Sequence, residues 1–96
     1  MILYENTYER EGNDSWLIDI ITIERNQLGL RLNRQYKYTG WLVDDSGSHS
    51  IELDEDKSIP DLQLQIDAYL TEFSLNHIYP NGSADGVFID LHEILS

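Results

Sequence analysis

Trp16 to Glu24 reads WLIDIITIE, and this run decides the fold. Its four isoleucines and Thr22 are β-branched, stiff at χ1, and suited to a pleated, half-buried surface. The cluster Gly12-Asn13-Asp14-Ser15 just before it combines turn-forming residues, and Met1 to Glu11 alternates. Ile2, Tyr4 and Tyr8 fall on one side of that segment and Leu3, Glu5, Thr7, Glu9 and Glu11 on the other. Two alternating runs around a tight turn predict a β-hairpin.

Moving towards the carboxy terminus, Leu28, Leu30 and Leu32 alternate with Gly29, Arg31 and Asn33. Tyr36 to Val43 (YKYTGWLV) continues in aromatic and β-branched residues, so this part forms one or two strands. Asp45-Ser46-Gly47-Ser48 carries the next turn signal. Ser50 to Asp54 follows, with Ile51 and Leu53 facing one way and Glu52 and Asp54 the other, which closes a meander.

The period then changes. Leu62, Ile66, Tyr69, Leu70 and Phe73 recur at helical spacing through Asp61 to His77, with Ser58, Pro60 and Asp61 arranged as an amino-terminal cap. Leu64, Ala68 and Leu75 project from the opposite side of this helix. That second apolar face is covered either by the carboxy-terminal segment or by a partner or second copy at Leu64 and Leu75. Tyr79-Pro80-Asn81-Gly82 ends the helix, and Val87 to Leu91 is consistent with a strand or with part of a helix. The expectation is a single α+β domain over residues 1–96: an antiparallel β-meander of four to five strands on one main helix, with a short C-terminal strand or helix.

Charge is laid out in blocks within a net −12 on 96 residues. Met1 to Glu24 holds six acids and one base, Arg25 to Val43 four bases and no acid, and Asp44 to Ser96 twelve acids and one base, or −5, +4 and −11. Net negative charge at this density opposes nucleic acid and anionic membrane, so neither is an expected partner, whereas a basic protein surface is the natural complement. The basic block either pairs with carboxylates inside the molecule or, through Arg34, Tyr36, Tyr38 and Trp41, presents interface-type side chains.

With residues two apart on one strand face, Glu52, Asp54 and Asp56 would form one carboxylate row and Glu5, Glu9 and Glu11 another, with Asp44 and Asp45 nearby. Such rows imitate a nucleic-acid backbone, whose phosphates recur about every 3.4 Å per strand. The expected partner-binding residues are Glu5, Glu9, Asp44, Asp45, Glu52, Asp54, Asp56, Trp41, Leu64 and Leu75.

Chemistry is sparsely encoded. There is no cysteine, hence no disulfide or thiolate, and no phosphate loop or nucleophile elbow. Asp54-Glu55-Asp56 lacks the glycine of a calcium loop, because Lys57 stands there, and no metal or cofactor is expected. His49, His77 and His92 lie in no setting for nucleophile activation, so an enzyme is not expected. No stretch approaches the roughly 18 apolar residues of a membrane span, and Met1-Ile2-Leu3-Tyr4-Glu5 does not open like a signal peptide, which points to the cytoplasm.

These readings converge on a small acidic inhibitor that stoichiometrically occludes a basic, nucleic-acid-processing protein. In size and charge it resembles immunity proteins and phage-encoded inhibitors of host defence, a resemblance of composition alone. The alternative is a structural or interaction module, such as a homodimer, whose acidity only confers solubility.

Overall fold

The computed structural model describes residues 1–76 and 87–96, with residues 74–76 described by backbone alone. Four strands, β1 (Ile2–Gly12), β2 (Ser15–Asn26), β3 (Gly29–Thr39) and β4 (Asp44–Leu53), form one antiparallel sheet in the order β1-β2-β3-β4. Helix α1 (Ile59–Asn76) and the short α2 (Leu91–Leu95) complete the α+β fold. The expected meander on one main helix is therefore present, with four strands.

Register puts Leu17, Asp19, Ile21 and Ile23 of β2 on the same face as Leu30, Leu32, Arg34 and Tyr36 of β3, and this face meets the helices. Ile21, Ile23, Leu30, Leu32 and Leu53 pack with Leu62 and Ile66 of α1 and with Ile89 and Leu91. Leu17, Tyr36 and Phe73 form a second cluster. A register shift between Ile2 and Tyr4 lets Leu3 join the core-side packing, although simple alternation assigns it to the other face.

Turn chemistry sets the strand ends. Asp14 takes a positive φ of 58° in the β1–β2 turn, which a short polar side chain tolerates. Between β2 and β3, Asn26 Oδ1 accepts the Leu28 amide at 2.8 Å and Gly29 adopts φ 121°. Leu28, expected in a strand, is instead an exposed turn residue.

The third connection also departs from expectation. The turn assigned to Asp45-Ser46-Gly47-Ser48 lies inside β4, and the chain reverses at Gly40–Val43, where the Gly40 amide bonds the Val43 carbonyl at 2.8 Å. The physical reason is tertiary. Gly47 pairs with Tyr36, whose ring lies where a Cβ would sit, 3.1 Å from its nearest atom, so glycine here makes room for an aromatic ring rather than for a turn.

Helix α1 begins as the cap predicts, with Ser58 Oγ accepting the Asp61 amide at 3.3 Å. Its first apolar face is buried through Leu62, Ile66 and Phe73, whereas Leu64 on the second face remains 67% exposed. The carboxy-terminal segment is held instead at Gln63, whose side chain bonds the Ile89 carbonyl and the Leu91 amide, each at 2.8 Å. It is not a strand: residues 87–90 are irregular, and Asp90 caps α2 by accepting the His92 amide at 3.0 Å. The turn expected at Tyr79-Pro80-Asn81-Gly82 and the residue His77 lie outside the described residues.

Candidate protein-binding surface

All four arginines pair with carboxylates of the same chain, Arg10 and Arg34 in the interior and Arg25 and Arg31 at the surface. Asp19 is fully buried and accepts two hydrogen bonds from Arg34, at 2.9 and 2.8 Å, and a further contact from Arg10. Arg25 pairs with Glu55 at 2.8 Å and Arg31 with Glu52 at 2.9 Å. The Arg34 guanidinium also lies 3.7 Å from the Phe73 ring centroid, a cation–π contact out of water. The three arginines of the basic middle block are thus drawn into intramolecular pairs, and Arg34 and Tyr36 are core residues rather than interface anchors. Lys37 and Lys57 make no ion pair among the described residues.

The second sheet face is not covered by any described element. Register arranges it in cross-strand rows: Glu11–Trp16–Thr39–Asp44, Glu9–Ile18–Lys37–Ser46, Thr7–Ile20–Gln35–Ser48 and Glu5–Thr22–Asn33–Ser50. A fifth row runs Glu24–Arg31–Glu52. An acidic lane on β1 therefore borders an apolar lane on β2, where Trp16 is 45% and Ile20 38% exposed. A shallow depression of about 370 Å³ beside Ile20 is lined by Glu5, Thr22, Asn33, Gln35 and Ser48.

The β1–β2 turn and the β3–β4 loop meet at one end of the sheet, because Trp16 pairs with Thr39. Trp41 and Leu42 are 76% and 85% exposed there, and Val43 is also exposed. Glu9, Glu11, Asp14 and Asp44, all exposed, lie on the strands and turns that form this end. The result is an apolar tip set among carboxylates.

Of the residues expected to bind a partner, Glu5, Glu9, Asp44 and Glu52 do share one face, and Trp41 stands at its end. Asp45 does not join them. It projects to the opposite face and accepts the Tyr36 hydroxyl at 3.1 Å. The expected row Glu52, Asp54 and Asp56 is broken, because β4 ends at Leu53 and Asp54 Oδ1 turns back to accept the Asp56 amide at 2.9 Å. Leu64 is exposed on α1, and the Leu75 side chain lies outside the described residues.

Sequence reasoning missed Leu42, Val43 and Asp14 as members of this surface. Thr39-Gly40 was the available signal for a turn, but the β-prone residues around it outweighed the glycine.

Three tyrosine hydroxyls are shifted. Burial pushes Tyr36 above its ordinary 10.0, reinforced by the hydrogen bond to Asp45. Burial raises Tyr69 against the opposing effect of Arg34, and burial together with the hydroxyl contact to Tyr4 raises Tyr8. These groups belong to the packed side of the sheet. Among the described residues no three His, Asp or Glu side chains gather in a metal-binding group, and no helix is long and apolar enough to cross a membrane. The chain matches no protein-family model, no curated protein and no solved structure.

Proposed function

We propose that this chain is a non-catalytic protein-binding domain that occupies a cationic surface of a nucleic-acid-processing protein and blocks it stoichiometrically. One observation carries the reading: every arginine is neutralised within the fold, while Glu9, Glu11, Asp14 and Asp44 stand exposed around Trp16, Trp41 and Leu42. Large aromatic side chains in a charged rim are the usual composition of a binding hot spot, because they bury much area for few rotatable bonds. Glu9 and Glu11 project from one strand face about 6.6 Å apart, a spacing comparable to two phosphate steps. Carboxylates so placed accelerate encounter with a basic partner and penalise an acidic one.

The test is affinity chromatography of purified nucleases and DNA-binding proteins on the immobilised chain, followed by inhibition assays on those retained. Retention should weaken as salt rises, since screening acts over about 8 Å at physiological ionic strength. Duplex DNA should compete, inhibition should saturate at a fixed molar ratio, and Trp41→Ser with Leu42→Ser should abolish it. Retention of acidic or neutral proteins alone, or binding indifferent to salt, overturns the proposal.

A further inference from the structure

The sheet face that no described element covers is ordered in a way that the distal tip does not explain. Its apolar lane, Ile18 and Ile20 on β2, lies between an acidic lane on β1 and a lane on β3 that carries Lys37 with the amides Asn33 and Gln35. A uniformly cationic partner would meet Lys37 here, whereas a second copy of this chain presents the complementary order. We infer that this face pairs with itself, forming a β-sandwich dimer about a two-fold axis lying between the sheets and parallel to β2.

The symmetry follows from the register. Such an axis preserves position along the strands and exchanges left for right, so β2 lies over β2 and β1 over β3 of the second copy. Glu9, Ile18 and Lys37 occupy one cross-strand row, and Glu9 therefore faces Lys37 of the second copy twice over. Thr7 faces Gln35 and Glu5 faces Asn33 by the same operation. Ile18 and Ile20 meet their own equivalents, and the depression beside Ile20 gives the facing side chains room.

Sheets stacked this way lie about 10 Å apart with strand directions within about 30°. Three strands overlapping three give a footprint of roughly 14 Å by 33 Å, about 460 Å² in projection per copy. More accessible area is buried as side chains interdigitate, so the pair lies near the lower edge of specific interfaces and would be a weak dimer. Both distal tips then emerge at the same end, making any tip-directed binding bivalent.

Sedimentation of the 96-residue chain at low and high salt tests this inference. The expected result is a monomer–dimer equilibrium that strengthens with salt, because two chains of net −12 repel. Ile20→Lys places like charges on the axis and should give a monomer, with thermal stability and circular dichroism confirming that it remains folded. Glu9→Lys and Lys37→Glu should each weaken dimerisation about 2-fold to 30-fold, the range for two exposed ion pairs, and the double exchange should restore it. A monomer at every concentration and salt, a dimer that survives Ile20→Lys, or a double exchange that fails to restore association overturns the inference. Glu9 and Trp16 enter both contacts, so the two proposals are told apart by their opposite responses to salt, by Trp41→Ser with Leu42→Ser, which acts only on basic-protein binding, and by Ile20→Lys, which acts only on the dimer.

Discussion

Asp19 and Arg34 form a two-pronged ion pair across β2 and β3, with bonds of 2.9 and 2.8 Å, and neither side chain reaches solvent. Arg10 approaches the same carboxylate from β1, so one acid holds two guanidiniums inside the sheet-helix layer. Removing that acid takes the shared carboxylate away from the buried Arg34 and the partly buried Arg10. Asp19→Ala should therefore lose about 3–5 kcal/mol of stability, and Arg34→Met less, because Asp19 keeps Arg10. Urea unfolding measures both, and a loss from Asp19→Ala below about 1 kcal/mol would show that the carboxylate is not holding the arginines.

Tyrosine ionisation sets an alkaline limit. Tyr8, Tyr36 and Tyr69 hold their protons above the ordinary 10.0, so the folded state retains them where the unfolded chain has begun to lose them. Their contribution is complete below pH 10 and declines as pH rises towards the folded values. Thermal midpoints should be flat with respect to these groups through neutrality and fall in alkaline solution. Tyr36→Phe should flatten that fall and, by removing the bond to Asp45, cost about 1 kcal/mol at neutral pH.

Two glycines make room for tyrosine rings. A Cβ at Gly47 would meet Tyr36 at 3.1 Å, and one at Gly40 would meet the Tyr38 ring at 2.8 Å and the Val43 carbonyl at 3.0 Å. Gly47→Ala should cost about 1–3 kcal/mol, and Gly40→Ala more, since a backbone carbonyl cannot swing aside. Calorimetry checks the order, with each kcal/mol lowering the midpoint by about 4–8 °C in a domain of this size.

Helix α1 should respond unequally on its two faces. Ile66 is fully buried and Ile66→Ala should cost about 2–5 kcal/mol, whereas the exposed Leu64 should tolerate Ser within about 0.5 kcal/mol. Circular dichroism during urea titration distinguishes them. A large loss at Leu64 would place it under a cover that the described residues do not provide.

The local pattern of the chain determined the α+β class, the β1–β2 hairpin around Asn13-Asp14, and the helix with its Ser58 cap. Each is written in residues a few positions apart, through alternation, helical spacing or turn chemistry. Tertiary structure decided the start of β4 and the meaning of the charge. Gly47 reads locally as a turn, and only the Tyr36 ring opposite makes it a strand residue. Asp19 and Arg34 occupy alternating positions that look like any solvated strand face, and burial became possible only when register set Arg10, Asp19 and Arg34 together. The sequence by itself put acids and bases in separate blocks. Folding joined every arginine to an acid, because pairing across strands depends on register, which no local window contains.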